Sequence, residues 1–178
     1  MNARRLGATA ALASLAACQP IQDPYSAGEG APPTPATITA ELRDAAGQIV
    51  GTASATQDGS TVMVRIEGTA LPPGYHGTHI HTTGTCTPPD FESAGPHWNP
   101  TRVEHGSLNR AGKHKGDLPN LQIRPNGRGV LQYEIPGARL AAIDDADGAA
   151  LVVHAQPDDH RTDPSGNSGA RIACGVFG

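Results

Sequence analysis

Histidine is concentrated in one part of this sequence, where residues that can bind a metal follow one another at short intervals. All eight histidines lie between His76 and His160. The tightest pair is His79 and His81, which are separated only by Ile80. Imidazole is the commonest protein ligand for zinc and copper, so this concentration predicts a metal site before any other function.

The spacing of His79 and His81 favours a strand as their support. Residues i and i+2 of a strand face the same way, so the two imidazoles would lie side by side while Ile80 faces the core. His76 has the opposite parity, and we expect it to have a structural role with hydrogen bonds to backbone. His154 ends an apolar run. It would project a further ligand from the rim of a core strand.

A second set of candidate ligands lies in a stretch with little strand character. It comprises His97, His105, His114 and Asp117. Four nitrogen and oxygen ligands of this kind suit a tetrahedral zinc ion, which could hold an otherwise loose segment in place. The last histidine, His160, is expected to be a solvated loop residue.

The elements that must position these residues are mostly strands, indicated by period-two alternation or by β-branched residues. Strands are predicted at residues 37–42, 49–55, 61–66, 129–135, 149–154 and 170–174. Turn sequences such as Asn126-Gly127 separate several of them. Many short strands with such turns favour a β-sandwich or a Greek-key barrel. Residues 82–120 contain no convincing strand, and a connection of that length usually serves a function.

The N-terminal segment reads as an export signal. Residues 1–17 have a short basic region and an apolar run that is too short to cross a bilayer as a helix, which needs about 20 residues. The run ends before Cys18 in a sequence that resembles the bacterial lipoprotein signal, so Cys18 is expected to carry lipid; an ordinary signal peptide is the alternative. Residues 18–36 would form a flexible Pro/Gly-rich linker, and residues 37–178 one domain with a real core.

The cysteine count agrees with export. Cys86 and Cys174 remain once Cys18 is set aside. An even pair in an exported protein favours a disulfide, although two buried free thiols are the alternative. A bridge closing so long a loop is credited with roughly 4–5 kcal/mol of stabilisation by the chain-entropy model.

The charge of the chain argues against some partners. The formal net charge is −4, and loss of Arg4 and Arg5 with the signal peptide would leave 11 basic and 17 acidic residues, or −6. We therefore expect no nucleic acid and no anionic membrane surface as a partner. Membrane contact would depend on the lipid at Cys18.

Six motifs together resemble the copper/zinc superoxide dismutases. They are residues 77–81, 93–100, 105–106, 114–120, 151–159 and 166–176. They follow the family's order from about Ala40 to the C-terminus, and residues 86–95 are similar to the bacterial exported branch. The resemblance implies a Greek-key β-barrel or sandwich of about eight antiparallel strands, with a long metal-binding loop and a second functional loop.

The resemblance also implies a role for each candidate residue, with one copper and one zinc per subunit. Copper would be bound by His79, His81, His97 and His154, and zinc by His97, His105, His114 and Asp117. His97 would thus bridge the metals and take part in catalysis. Arg171 would attract the anionic substrate, and Asp158 would link a copper ligand to a zinc ligand. A Cys86–Cys174 disulfide would hold the long loop to the barrel.

On this interpretation the protein is an exported superoxide dismutase, lipid-anchored through Cys18, with the outer membrane favoured. Redox cycling of copper would convert superoxide to dioxygen and hydrogen peroxide, while zinc orders the loop. The protein could act as a monomer or as a homodimer. Two alternatives need only part of the ligand set: a lipoprotein that buffers or delivers copper or zinc without turnover, and a structural zinc domain.

The sequence departs from the family in the positive charge available to steer an anion. The segment 157–170 is shorter than in eukaryotic members and contains only Arg161 before Arg171. Lys113 and Lys115, which flank His114, are the other candidates for an attractive field.

Overall fold

Strands make up most of the regular structure in residues 36–178, the part of the chain that this computed structural model describes. The strands are β1 (Thr37–Arg43), β2 (Ile49–Asp58), β3 (Thr61–Gly68), β4 (Gly74–His76), β5 (Thr78–His81), β6 (Leu121–Ile123), β7 (Gly129–Pro136), β8 (Ala150–His154) and β9 (Arg171–Val176). Two short 3-10 helices, Glu92–Ala94 and Leu140–Ala142, lie in the connections. Seven strands form one antiparallel sheet in the order β5-β8-β9-β1-β2-β3-β7, and β4 pairs with β6. The all-β class expected from the sequence is confirmed.

Period-two alternation decides which side chains form the core. In β1, Ile38, Ala40 and Leu42 are buried while the residues between them are exposed. Burying a side chain of valine, leucine or isoleucine size contributes about 1.5–3 kcal/mol. A slip of one residue would turn this whole set towards solvent, so the pattern fixes the register of β1 against β2 and β9.

Strands β5 and β8 differ from the others because every residue in them is buried. One face of β8, with Leu151 and Val153, belongs to the main core. The opposite face, with Ala150 and Val152, packs against Phe91 of the long connection that follows β5. That connection therefore covers the outer surface of the sheet at β5 and β8, and it creates a second buried cluster outside the main core.

The sequence located most strands and missed two. All six predicted segments are strands, and His79 and His81 lie on β5 as expected. The three-residue strands β4 and β6 were missed, because so short a run shows no periodicity. Residues 82–120, all of them described, contain no strand, which confirms the long connection.

The N-terminal predictions concern residues outside the described range. The signal peptide (1–17), Cys18 and nearly all of the linker (18–36) precede Ala36, the first described residue. Within residues 36–178, no helix has the length and apolar character needed to cross a membrane.

Candidate metal centre

Strand β5 holds His79 and His81 on the outer face of the sheet. Ile80 between them is fully buried in the main core, which is the alternation that the sequence predicted. One edge of β5 pairs with β8, where His79 lies opposite Val152. His154, two residues beyond Val152 on β8, follows the same parity and joins the two histidines on this face.

The other edge of β5 pairs with two pieces of the long connection. The Ile80 N–H donates to the carbonyl oxygen of Gly116 at 2.9 Å, and the Trp98 N–H donates to the carbonyl oxygen of Ile80 at 2.7 Å. These bonds place His97 beside His81 and Asp117 beside His79. The edge of β5 is thereby satisfied, and it aligns the loop residues with the strand residues.

The first group of side chains comprises His79, His81, His97 and His154. Four of their ring nitrogens, one from each residue, lie within 4.8 Å of one another, and all four residues are buried. This is the set that the resemblance assigned to copper.

Three members of this group are each oriented by a hydrogen bond from the other ring nitrogen. His79 Nε2 donates to Asp158 Oδ2 at 2.8 Å. His81 Nδ1 donates to the Gly95 carbonyl oxygen at 2.8 Å, and His154 Nδ1 to the Gly169 carbonyl oxygen at 3.1 Å. A donor on one nitrogen leaves a lone pair on the other, so each ring presents an acceptor nitrogen to the group.

The second group surrounds one oxygen of Asp117. Its Oδ1 lies 2.9 Å from His97 Nδ1, 3.0 Å from His105 Nδ1 and 3.2 Å from His114 Nδ1. Ligands of a tetrahedral ion with bonds of about 2.0 Å are about 3.3 Å apart, so this spacing suits one zinc ion. The other oxygen, Oδ2, accepts the N–H groups of Gly106 and His114 at 3.0 and 3.1 Å.

His79 lies close to both groups. A nitrogen of His79 falls within 4.8 Å of ligand atoms of His97, His105 and Asp117. His79 Nε2 is bonded to Asp158, so only Nδ1 is free and it can join one group, whereas the free Nδ1 of His114 lies 3.2 Å from Asp117 Oδ1. We therefore count His114, and not His79, in the second group.

Orphaned nitrogen atoms show that this interior suits metal ions. Among residues 36–178, six buried side-chain nitrogen or oxygen atoms have no hydrogen-bond partner. They are His79 Nδ1, His81 Nε2, His97 Nε2, His105 Nδ1, His114 Nδ1 and His154 Nε2. A buried polar atom without a partner costs about 1–3 kcal/mol, so six of them in one place call for another binding partner. Imidazole lone pairs fit copper and zinc.

Asp158 links the two groups. Its Oδ2 accepts from His79 Nε2 at 2.8 Å, and its Oδ1 accepts from His105 Nε2 at 3.0 Å. The amide of Asn120 fixes the backbone of Asp158: its Oδ1 accepts the Asp158 N–H at 2.7 Å, and its Nδ2 donates to the Asp158 carbonyl oxygen at 2.9 Å. A β-carbon at Gly166 would come within 1.9 Å of Asp158 Oδ1, so only glycine fits there.

Asn120 was not among the functional residues predicted from the sequence. It ends one of the family motifs, but its partner, Asp158, lies 38 residues further along the chain. An asparagine in a loop is ordinary, and spacing alone carries no signal for so distant a contact.

The two groups differ in their electrostatics. Burial lowers the pKa of His79 to about 3 and that of His154 to about 4, and it also lowers the pKa of His81 and His97. Burial acts the same way on His105, but the adjoining carboxylates of Asp117 and Asp158 favour the charged ring, outweigh burial and raise the pKa of His105 to about 9. The first group therefore consists of neutral imidazoles with free lone pairs, and the second group is centred on a carboxylate.

Burial would raise the pKa of the two carboxyl groups, but their histidine neighbours reverse its effect. The rings of His105, His114 and His97, whose Nδ1 atoms lie about one oxygen of Asp117, hold the pKa of Asp117 well below its usual range. Hydrogen bonds from His105 and His79 do the same for Asp158. Both residues are thus carboxylates at neutral pH.

An open cavity of about 870 Å³ leads from the surface to the first group. His81, His97, His154 and Arg171 line it. The Arg171 guanidinium donates to the carbonyl oxygen of Phe91 at 2.7 Å and to that of Gly95 at 2.9 Å. The side chain is therefore fixed at the cavity wall by the covering loop.

The predicted disulfide is present. Cys86 and Cys174 are bonded, with their Cα atoms 5.7 Å apart. Cys174 lies on β9, three residues after Arg171, while Cys86 begins the loop that carries Phe91 and Gly95. The bridge thus joins the loop to the strand that carries Arg171.

The two candidate lysines are bound to backbone carbonyl oxygens outside the lining of this cavity. The Lys113 ammonium donates to the Asp117 carbonyl oxygen and lies 4.7 Å above the Tyr133 ring. The Lys115 ammonium donates to the Pro136 carbonyl oxygen at 2.6 Å. Both are absent from the described residues that line the cavity, where Arg171 is the only cation.

The remaining two histidines lie at the edge of the centre. The ring nitrogens of His76 are each 2.8 Å from a carbonyl oxygen, one of Pro72 and one of His154, which agrees with the expected structural role. His160 is less solvated than expected. Its side chain is 28 % exposed, and its Nε2 accepts a hydrogen bond from Asn120 Nδ2 at 3.2 Å.

Fold and site define an all-β protein with two adjacent sets of side chains that could bind metal ions, and known proteins share both sequence and fold with it. Residues 49–177 match the family model of copper/zinc superoxide dismutase. A [Cu-Zn] superoxide dismutase of Aquifex aeolicus is 41% identical over 143 residues, which span 77% of this chain and 85% of that protein.

Solved structures agree. The crystal structure of a SOD-like protein from Bacillus subtilis has a TM-score of 0.73 at 41% identity, covering 78% of this chain and 96% of that one. The Cu/Zn superoxide dismutase of Brucella abortus has a TM-score of 0.65 at 28% identity, covering 79% and 99%. The chain belongs to the copper/zinc superoxide dismutase family. Membership confirms the expected enzyme class, an oxidoreductase, and the expected cofactors, copper and zinc.

Proposed function

We propose that this protein dismutates superoxide, with copper held by His79, His81, His97 and His154, and zinc held by His97, His105, His114 and Asp117. One observation carries the proposal. Six buried imidazole nitrogens that lack a hydrogen-bond partner converge in two sets. His97 directs Nδ1 to one set, beside Asp117, and leaves Nε2 free for the other.

Copper, when bound, supplies the one-electron oxidation and reduction by which two superoxide anions and two protons become one dioxygen and one hydrogen peroxide. The chain has to supply the ligands, the attraction for the anion and a proton. His97 Nε2 faces the first group, and a lone pair there can take up a proton and release it again. Asp117 beside Nδ1 keeps the His97 ring oriented during that transfer.

Arg171 is proposed to bind the anion. A guanidinium has five N–H donors, and only two bonds, to Phe91 and Gly95, are made to the protein. The remaining donors can reach an anion in the cavity beside His81, His97 and His154.

Zinc is proposed to have a structural role. His105, His114 and Asp117 all belong to the long connection, and this part of the loop has no strand of its own. An ion held by these residues and by His97 would close the loop over β5. Asp158 accepts hydrogen bonds from both His79 and His105, so an ion that fixes His105 would also help to fix the ring of His79.

We also propose that the protein is exported and carries lipid at Cys18, with residues 18–36 as a linker to the domain at 37–178. The Cys86–Cys174 disulfide supports export, because such bonds persist in oxidising compartments. Mass spectrometry of the protein from membranes would test the anchor: a lipid-modified N-terminal Cys18 is expected, and a chain that starts elsewhere and carries no lipid would contradict it.

A metal-binding protein without turnover is the second candidate. It is favoured by the charge around the cavity, where Asp90 and Glu92 lie with Arg171 among the described lining residues. Two negative charges beside one positive charge weaken the attraction of an anion.

Superoxide decay after pulse radiolysis separates the two candidates. Protein loaded with copper and zinc, with both contents verified, should accelerate the decay far above buffer. A matched pair of variants controls for folding: His81→Gln should lose the rate, while His160→Gln, outside both groups, should keep it. Full metal occupancy with no acceleration would contradict the enzyme and favour metal storage or delivery.

A further inference from the structure

We propose that Asp90 and Glu92 form the outer part of a copper uptake route, which attracts hydrated copper ions into the cavity that ends at His81, His97 and His154. This inference rests on the proposed copper site and adds a role for residues that lie outside it. The two carboxylates would speed the arrival of copper and slow the binding of an anion in the same cavity.

The mouth of the cavity is negative. Asp90, Glu92 and Arg171 are the charged side chains among the described lining residues. Asp90 and Glu92 are exposed, whereas Arg171 is partly buried and tied to two carbonyl oxygens. The Glu92 N–H donates to Asp90 Oδ1 at 3.1 Å, which holds the two acidic residues together at the rim.

The floor of the same cavity offers a place for a cation. His81, His97 and His154 are 1%, 6% and 3% exposed, and each has an Nε2 atom without a hydrogen-bond partner. Carboxylates at the rim and free imidazole nitrogens at the floor form a path along which a copper ion meets progressively better ligands. The unpartnered imidazole nitrogens at the floor are the reason to interpret the acidic rim as part of a route for a cation.

The loop fixes this arrangement. Asp90 and Glu92 flank Phe91, whose side chain is buried against β8 and whose carbonyl oxygen accepts from Arg171. The disulfide at Cys86 anchors the start of the same segment. The acidic pair therefore has a defined position at the mouth.

Electrostatic attraction scales with the charge of the arriving ion, which gives the inference a quantitative signature. Removing both negative charges should slow the arrival of Cu(II), with charge +2, and speed the arrival of a monovalent anion. The logarithm of the change should be about twice as large for Cu(II) and opposite in sign. Both effects should vanish at high ionic strength.

The test compares Asp90→Asn/Glu92→Gln with Glu134→Gln/Asp144→Asn, a control pair that makes the same charge change at exposed positions outside the cavity lining. Zinc-loaded, copper-free protein is mixed with aqueous Cu(II), and uptake is followed by the copper absorption band and by quenching of Trp98, which adjoins His97. At about 0.01 M ionic strength the rim variant should load about 4-fold more slowly and bind azide, once loaded, about 2-fold faster.

The final copper content separates this inference from the proposed function. Equal final content with slower loading, lost at about 0.5 M salt, supports the route. Equal loading rates for the rim variant and the unaltered protein would overturn it, even if superoxide turnover is normal. An unaltered protein that binds no copper in the first group would overturn both. Copper binding without turnover would defeat only the dismutase, and the loading rates would still decide the route.

Discussion

The two histidine groups share His97, yet they are built on different supports. The first takes His79 and His81 from β5 and His154 from β8, inside a fully buried pair of strands. The second takes its other ligands from the long connection and gathers them around the charge of Asp117. The contrast teaches that a sheet can hold neutral ligands in place before any metal arrives, whereas a loop needs the ion to complete its own order.

Zinc removal should expose the largest difference between the groups. Zinc at about 1,000 times its dissociation constant should add about 4 kcal/mol to the free energy of unfolding. Hydrogen exchange in zinc-free protein should speed up strongly in residues 99–117 and little in β5 and β8. Copper removal from zinc-loaded protein should leave exchange in both regions nearly unchanged. An equal change of the hydrogen-exchange rate in residues 99–117 and in β5 and β8 on zinc removal would contradict the difference between the two groups.

Loss of the disulfide should come next. Cys86→Ser/Cys174→Ser should lower the free energy of unfolding by about 2–4 kcal/mol, since the bridge closes a long loop. Because it also ties down the segment that holds Arg171, azide affinity of the copper form should fall. Zinc affinity should stay close to that of the unaltered protein, because the second group lies beyond this segment. Denaturant titration, azide titration of the copper form and zinc competition measure the three quantities. A larger loss of zinc affinity than of azide affinity would contradict the division between the two groups.

Asp158 connects the two groups, so replacing its carboxylate with an amide should weaken metal binding by both of them. Asp158→Asn keeps the shape, but it replaces one acceptor oxygen with a donor that faces His79 or His105. We expect about 10–100-fold weaker metal binding in a chelator competition. Asp159→Asn is the control, since Asp159 is exposed and bonds within its own turn. Unchanged binding in Asp158→Asn would show that the link is unnecessary.

In the metal-free protein, the free energy of unfolding should depend on pH in two ways, one due to each group. His79 and His154 have pKa values of about 3 and about 4 when folded and 6.5 as the reference, so the unfolded state binds more protons below pH 6.5. Stability should then fall as the pH drops from 6.5 towards 5. His105, with a pKa of about 9, binds more protons when folded, so its contribution is complete below pH 6.5 and is lost as the pH rises towards 9.

Variants can separate these two slopes in urea titrations between pH 5 and pH 9. His105→Gln should flatten the alkaline side and leave the acid side. His154→Gln should do the opposite. A single stability plateau from pH 5 to pH 9 in the unaltered metal-free protein would contradict both assignments.

The sequence revealed the sheet-borne group more fully than the loop-borne one, for a physical reason. Strand parity ties His79 and His81 to one face, and the same period-two rule brings His154 to it. The loop residues reach the site through pairing with the edge of β5, at Gly116 and Trp98, and no local pattern encodes that pairing. Residue type and their place in one long connection made His97, His105, His114 and Asp117 candidates for zinc, and only the motif resemblance gave His97 a place in both groups.

Long-range contacts of polar side chains were the least predictable feature. Lys115 adjoins the candidate ligand His114 in sequence, but its ammonium group donates to the carbonyl oxygen of Pro136, 21 residues further along the chain. Asn120 looked ordinary, yet it fixes Asp158 from a distance of 38 residues. Such contacts depend on how loops close in three dimensions, which neither composition nor spacing determines.

Diffraction at the copper and zinc absorption edges, from crystals of the fully loaded protein, tests most directly whether His97 joins the two groups. We predict two separate anomalous peaks, copper beside His81 Nε2 and zinc beside Asp117 Oδ1, on opposite nitrogens of the His97 ring. An imidazole between two bonds of about 2.0 Å puts them about 6 Å apart. A single peak, or two peaks with His97 bound to only one, would contradict the shared ligand.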